Sequence, residues 1–191
     1  TSSSTAIAAD GPPIPVEHTF IRIGTSGGMD LSVSGGDLVI ASAAVRGEGT
    51  SKEYLPEGYP AVADFTVTTA LANAAAKLSE DKLGKRYHVG VVHSKDSFYG
   101  EVEPDSMPVS GDINYRWDAY LRCGCMTSEM ECAAVFSVGI ARHVRCGAVI
   151  TAIWNVERSK ADLEDNVSDD TTRGIHCAVN AVKILIEQDK K

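Results

Sequence analysis

Four short segments of the chain are almost continuously apolar or β-branched, and each is followed at once by glycine or polar residues. They span residues 18–23, 37–45, 87–93 and 146–154. Continuous apolar character is typical of strands that are buried on both faces. The pattern therefore predicts a sheet covered on both sides. Ligands in α/β folds bind at such strand ends, so the polar residues there are the first candidates for a site.

Helical spacing of apolar residues separates the predicted strands. Asp64 opens one helix, whose apolar residues recur as far as Leu78 and which Gly84 ends. Further helices are predicted over residues 113–121, 133–145 and 171–191. Loops are predicted where periodicity is absent, over residues 47–60, 101–108 and 159–170. Strands that alternate with helices predict a three-layer α/β/α fold, and 191 residues with 43% hydrophobic content predict a single domain, 1–191.

Charge and hydropathy exclude several classes of function. The chain has 18 basic and 26 acidic residues and a formal charge of −8, which argues against nucleic acid and anionic membrane surfaces as partners. The sequence contains neither an apolar run of membrane-spanning length nor a signal peptide. We therefore expect a cytoplasmic protein, in which an anionic small substrate would need a local basic pocket.

The five cysteines are an odd number without the spacing of a disulfide framework. Reduced thiols are therefore expected, in keeping with a cytosolic setting. Cys123 and Cys125 are separated by one residue, and no second Cys or His pair stands at zinc-site spacing. No metal ion is expected.

Residues 127–132, Thr-Ser-Glu-Met-Glu-Cys, place two carboxylates and a thioether at the start of a predicted helix. One interpretation is a capping box, in which Ser128 and Glu131 satisfy the free N–H groups of the helix. The other is a cradle for a polyol such as ribose. In that case carboxylates accept hydroxyl protons and Met130 supplies an apolar wall. The residues themselves leave both interpretations open.

Arg22 lies inside an apolar predicted strand, where a cation is costly to bury unless it meets an anion. It can form a structural ion pair, for which Asp37 is the candidate partner. Alternatively it clamps an anion beside Thr25 and the backbone N–H groups of the glycine-rich stretch that follows. A second open question concerns Phe98 and Tyr99, which can pack in the core or stack on a planar base.

Taken together, three segments resemble the nucleoside phosphorylase family, and most closely its uridine phosphorylase members. They are residues 20–28 (Phe-Ile-Arg-Ile-Gly-Thr-Ser-Gly-Gly), 94–100 (Ser-Lys-Asp-Ser-Phe-Tyr-Gly) and 127–132. The resemblance implies a central mixed, partly barrel-like sheet and a homo-oligomer, either a dimer or a hexamer. It implies reversible phosphorolysis of a nucleoside to free base and ribose 1-phosphate. Inorganic phosphate is then a cosubstrate, and no cofactor is expected.

The resemblance also assigns roles to residues. Arg22 and Thr25 would contact phosphate, and Glu131 would accept hydrogen bonds from ribose. Arg158 would lie behind the base pocket and complete the catalytic set. The remaining substrate-binding residues would be Gly27, Ser97, Phe98, Tyr99, Glu101, Glu129, Met130, Ile153 and Trp154.

Uridine is the expected substrate because the Ser-Asp pair of purine-specific members is missing. Purine-specific members carry a Ser-Asp pair after the fourth strand, whereas residues 152–158 read Ala-Ile-Trp-Asn-Val-Glu-Arg. Two departures keep alternatives open. First, this sequence has Glu101 where uridine phosphorylases have Gln, and either Asp105 or Ser106 where they have Arg. Second, the resemblance implies that the chain begins after the family's amino-terminal phosphate loop. The alternatives are a phosphorylase with purine preference and a nucleoside-binding or scaffolding protein without turnover.

Overall fold

A computed structural model describes residues 18–80 and 86–190 of the chain. Within them, six strands form one mixed sheet in the order β3-β2-β4-β5-β1-β6, and β2 also pairs with β6, so that the sheet closes into a partial barrel. The strands are β1 (Thr19–Gly28), β2 (Leu38–Arg46), β3 (Ala61–Val62), β4 (Tyr87–Ser94), β5 (Thr127–Glu129) and β6 (Arg145–Asn155). The helices are α1 (Thr50–Tyr54), α2 (Phe65–Glu80), α3 (Phe98–Val102), α4 (Ser110–Arg122), α5 (Cys132–Arg142), α6 (Val156–Lys160) and α7 (Thr172–Asp189), with a short 3-10 helix at Pro104–Ser106.

Helices cover the sheet on both sides because successive strand residues point to opposite faces. Along β2, Leu38 and Ile40 pack with α2 and α7, whereas Val39 and Ala41 pack with Phe136 of α5. All of these side chains are buried. The predicted three-layer α/β/α fold with its partly barrel-like, mixed sheet is confirmed.

The four predicted strands correspond to β1, β2, β4 and β6. The first continues further than predicted, through the glycine-rich stretch, because β1 pairs in parallel with β6 as far as Gly28 and Asn155. A Cβ at position 28 would lie 2.7 Å from the side-chain amide nitrogen of Asn155, so this close approach of β1 and β6 requires glycine.

The long predicted helices are found as α2, α4, α5 and α7. Asp64 stands before α2 as predicted, and its carboxylate accepts a hydrogen bond from the N–H of Val67 (2.9 Å). Gly84, the predicted end of that helix, lies outside the described residues.

Two of the predicted loops contain short helices that the sequence did not indicate. Residues 47–60 include α1, and Arg46 fixes this segment because its guanidinium donates to the carbonyl oxygens of Ser51, Leu55, Pro56 and Tyr59. Residues 101–108 include the end of α3 and the 3-10 helix.

No helix in the described ranges is both long enough and apolar enough to cross a membrane.

Candidate active site

A cleft of about 650 Å³ opens where β1, β4, β5 and β6 end. It brings together most of the residues predicted from the sequence. The predicted residues that line it are Arg22, Thr25, Gly27, Phe98, Glu129, Met130, Glu131, Ile153 and Trp154. The edge of the sheet where the strand ends meet therefore forms the candidate site, as expected for an α/β fold.

Arg22 projects into the base of the cleft, with its side chain only 14% exposed. Its guanidinium donates a hydrogen bond to the carboxylate of Glu131 and lies 3.4 Å from that of Glu129. Its Nη1 atom is buried and has no hydrogen-bond partner among the described residues. Burial opposes the charge, but Cys132 and the carboxylates of Glu129 and Glu131 together outweigh it and raise the pKa of Arg22 above its ordinary value. The cleft is therefore lined by a permanent cation.

The structural ion pair suggested for Arg22 and Asp37 does not form. Asp37 instead lies 3.0 Å from the Nε2 atom of His88 and 3.6 Å from the guanidinium of Arg86. Arg22 still has carboxylate partners, but they belong to the cleft. Arg22 is therefore ion-paired, although not with Asp37, and its binding of an anion stays a prediction.

The capping box predicted at Ser128 and Glu131 is absent, because residues 127–129 form β5 between β1 and β4. Glu131 occupies the position before α5, but its side chain makes no capping hydrogen bond. Glu129 satisfies the helix instead, since its carboxylate accepts from the N–H groups of Glu131 (2.8 Å) and Cys132 (2.9 Å). The hydroxyl of Ser94 also donates to Glu129.

The two carboxylates therefore have different surroundings. The Glu129 side chain is 0% exposed and is fully engaged by donors from the protein, including Ser94 and Arg22. The Glu131 side chain is 57% exposed and faces the cleft. Only Glu131 is placed to accept hydrogen bonds from a bound molecule.

Cys132 lies beneath these groups and remains a neutral thiol. Burial, followed by the negative charge of Glu129, raises the pKa of Cys132 well above its usual value. All five cysteines are free thiols. No group of three or more His, Cys, Asp or Glu side chains within residues 18–80 and 86–190 is arranged to hold a metal ion.

Aromatic side chains also line the cleft. Phe98, Trp117 and Trp154 all line it, and the Nε1 atom of Trp117 donates to Glu157 (2.9 Å). A planar ligand can stack on such rings. The sequence pattern placed Trp117 only on one side of a helix. Its position in the cleft depends on the contact between α4 and α6, and the sequence pattern does not reveal that contact.

The comparison with known proteins decides the family. Residues 17–187 match the model of a family described as the phosphorylase superfamily. The chain belongs to the phosphorylase superfamily. The resemblance drawn from the three sequence segments is confirmed.

Individual relatives in the phosphorylase superfamily are similar over nearly the whole chain. The chain is 47% identical to uridine phosphorylase of Treponema pallidum, over 97% of this chain and 73% of that relative. It is 37% identical to uridine phosphorylase of Thermococcus kodakarensis, over 98% of this chain and 65% of the relative. It is 35% identical to guanosine phosphorylase of Halorubrum lacusprofundi, over 97% of this chain and 76% of that relative.

Of four further residues that the family resemblance assigned to the site, three do not line the described cleft. Ser97 caps α3 by accepting from the N–H of Gly100 (3.0 Å), and Tyr99 is 70% exposed with its ring edge-on to Phe98. Arg158 donates to the carbonyl oxygens of Leu31 and Glu164, which ties the loop after α6 to the loop after β1. The side chain of the fourth residue, Glu101, lies outside the described part of the chain.

Gly24 leaves the space that the guanidinium of Arg22 occupies in this phosphorylase-superfamily site. A Cβ at position 24 would lie 2.6 Å from Nη1 of Arg22 and 2.8 Å from its Cζ. Both distances are shorter than normal contacts. One of the two side chains would therefore have to move.

We expect Gly24→Ala to displace the guanidinium of Arg22 while leaving the fold in place, because the end of a flexible side chain can shift. A displacement of about 1 Å in a catalytic site can reduce the rate about 10²-fold. Steady-state kinetics and thermal melting measure the two effects. Gly58→Ala is the matched control, since a Cβ there meets nothing within 4 Å. Unchanged kinetics in the Gly24 variant would show that the position of Arg22 is unimportant.

Proposed function

We propose that the protein catalyses the reversible phosphorolysis of uridine to uracil and ribose 1-phosphate. The observation that carries the proposal is the arrangement of the cleft. A partly buried arginine lies beside an exposed carboxylate, and aromatic rings line the same cleft. These three features match the three parts of the reactants, which are phosphate, sugar and base. Nucleoside phosphorylases among the relatives support the same reaction.

Arg22 binds phosphate, which is the nucleophile of the reaction. Its positive charge can attract a phosphate oxygen, and the residues Gly24 and Thr25 that follow on β1 line the same wall. Because Arg22 is also held by Glu129 and Glu131, it does not need to be ordered when phosphate arrives. Holding the two reactants in the attack geometry is a large source of rate enhancement.

Glu131 binds the ribose. Its exposed carboxylate can accept hydrogen bonds from ribose hydroxyls, with Met130 as an apolar neighbour. During the reaction a phosphate oxygen bonds to C1′ and the bond from C1′ to the base breaks, with its electron pair leaving on the base. The ribosyl ring carries positive charge at the transition state, and the negative charge of Glu131 favours it.

The residues at the end of β6 favour a pyrimidine rather than a purine as the base of the substrate. Residues 152–156 contain no acid that could protonate a purine, and the side chain of Asn155 is already engaged on both sides. Its amide nitrogen donates to the carbonyl oxygens of Asp30 and Val33, and its oxygen accepts from the N–H groups of Glu157 and Arg158. Two of the relatives named above are uridine phosphorylases, which supports the same assignment.

The test is the release of free base from uridine and from guanosine, each with and without millimolar phosphate. We expect uracil to appear only with phosphate, together with ribose 1-phosphate, and guanosine to react more slowly. Release without phosphate would indicate hydrolysis. Binding of uridine without turnover would indicate a nucleoside-binding protein, and faster release of guanine would overturn the assignment of the base.

The substitution Glu131→Ala tests whether this activity arises in the cleft. Each lost charge-assisted hydrogen bond is worth about 1.5 to 3 kcal/mol, which is a loss of roughly 10- to 150-fold in kcat/KM for one bond. Stability should change by less than about 0.5 kcal/mol, because this exposed side chain makes no capping bond. Glu53→Ala on α1 is the control. Normal activity per folded molecule would rule out the ribose assignment.

A further inference from the structure

Lys95 lines the cleft, although neither the sequence pattern nor the family resemblance assigned it a role. It follows directly after β4, and its Nζ atom donates to the hydroxyl of Ser128 (2.7 Å). The same ammonium group lies 5.9 Å from the centre of the Phe98 ring, within the range of a cation–π contact. These two neighbours fix the position of a second cation in the cleft.

The contact of its ammonium group with Phe98 places Lys95 beside an aromatic ring that lines the cleft. Ser128 of β5 stands opposite Gly27 of β1, and Gly27 stands opposite Trp154 of β6. The partner of Ser128 on β4 is His93, and Lys95 follows two residues later, so only its side chain reaches back to contact Ser128. The guanidinium of Arg22 lies against Gly24 and contacts Glu129 and Glu131. The two cations therefore have different partners in the cleft, since carboxylates hold Arg22, whereas Lys95 contacts a hydroxyl and an aromatic ring.

The chemistry of the proposed function requires a positive charge at the base end. When the bond between C1′ and N1 breaks, its electron pair stays on the pyrimidine. The negative charge is then shared between N1 and the two carbonyl oxygens. A positioned cation in a site that excludes water stabilises such developing charge better than solvent does. Among the described residues that line the cleft, Lys95 is the cation that lies beside the aromatic rings.

We infer that Lys95 is a catalytic residue that donates a hydrogen bond to a carbonyl oxygen of the departing uracil. The inference rests on the proposed function. Lys95 keeps its proton, and the uracil anion is protonated by water after release. Ser128 is a positioning residue, since its buried hydroxyl accepts from Lys95 and contacts Nδ1 of His93 (3.3 Å). The Phe98 ring, which lies under the ammonium group, brings the base within reach of it.

The experiment compares uridine with 5-fluorouridine in the wild type and in Lys95→Met. Fluorine withdraws electrons, so 5-fluorouracil leaves more readily and needs less stabilisation of its negative charge. We expect Lys95→Met to lower kcat about 10²-fold on uridine and at least several-fold less on 5-fluorouridine. Lys95→Arg, which keeps the positive charge, should recover part of the loss and restore the ratio between the substrates. Lys77→Met, an exposed lysine on α2, is the control.

Each outcome bears on the inference. The ratio of the two rates in one preparation does not depend on the folded fraction, so a partly unfolded variant still gives an answer. An equal loss on both substrates, or no loss, would overturn the role of Lys95 and leave the proposed function standing. If the wild type released no uracil in the presence of phosphate, the proposed function itself would fail, and this inference with it.

Discussion

Arg22→Met is expected to reduce the rate of phosphorolysis about 10²- to 10³-fold, the cost of removing one positioned donor from a catalytic site. Met keeps much of the side-chain volume, so the strand should keep its packing. Lys95, the other cation that lines the described cleft, contacts Ser128 and the Phe98 ring, so we do not expect it to replace the lost donor. The loss should appear mainly as a raised requirement for phosphate, while nucleoside binding stays near normal.

The same substitution should also lower stability, but only moderately. Removing one member of a buried ion pair commonly costs about 3 to 5 kcal/mol, because it leaves an uncompensated charge. Here Glu129 retains hydrogen bonds from two backbone N–H groups and from Ser94. Glu131 is exposed to solvent. We therefore expect a decrease of about 1 to 3 kcal/mol in the free energy of unfolding.

Thermal melting with and without millimolar phosphate separates the two effects. A ligand that binds only the folded state stabilises it by RT ln(1 + [L]/Kd) and so raises the melting temperature. Wild-type protein should be protected by phosphate and the Arg22 variant should not. Arg145→Met on the neighbouring strand β6 is the matched control, because its partner Asp189 lies at the end of α7. Equal protection of a well-folded Arg22 variant would exclude Arg22 from phosphate binding.

Glu129→Ala should have the largest effect on stability of any substitution in the cleft. It removes the acceptor for two N–H groups at the start of α5, for the Ser94 hydroxyl and for one side of Arg22. Each buried group left without a partner costs about 1 to 3 kcal/mol. A loss of about 3 kcal/mol or more follows, which is a large share of the 5 to 15 kcal/mol that stabilises a typical domain.

Urea denaturation of Glu129→Ala, Glu129→Gln and Glu131→Ala tests this expectation. The amide oxygen of Gln can still accept hydrogen bonds, so Glu129→Gln should be intermediate. Glu131→Ala removes a carboxylate that also contacts Arg22 but is exposed, and it should be close to the wild type in stability. If the two alanine variants were equally stable, the separation of a structural Glu129 from a ligand-binding Glu131 would be wrong.

Sequence reasoning located the long elements because they repeat a pattern over many residues. β2 and β6 are apolar throughout since both of their faces are buried, and α2 and α7 show helical spacing. β5 has only three residues and α1 only five, which is too short for a period to be visible.

The candidate site shows a different limit. Ser128 and Glu131 have the spacing of a capping box, but pairing with β1 and β4 holds Ser128 in a strand instead. Tertiary contacts thus overrode a local signal. Arg158 follows the polar end of β6, yet its guanidinium binds backbone carbonyls of two loops. Which way a side chain turns at a strand end depends on loops distant in sequence, and spacing alone does not contain that information.

The pairing of β2 with β6 has a consequence for how the chain folds during synthesis. It joins Leu38 to Thr151 and Ile40 to Val149, so roughly 110 residues must be made between the two partners. At ordinary rates of translation this takes on the order of ten seconds. During that time the part of the β2 edge from residue 38 to residue 40 has no permanent neighbour, because β3 pairs only with Ala43 and Ala44, and such an edge invites pairing with other chains. We therefore expect nascent chains that end before β6 to require chaperones to remain unaggregated, whereas chains that include β6 should not.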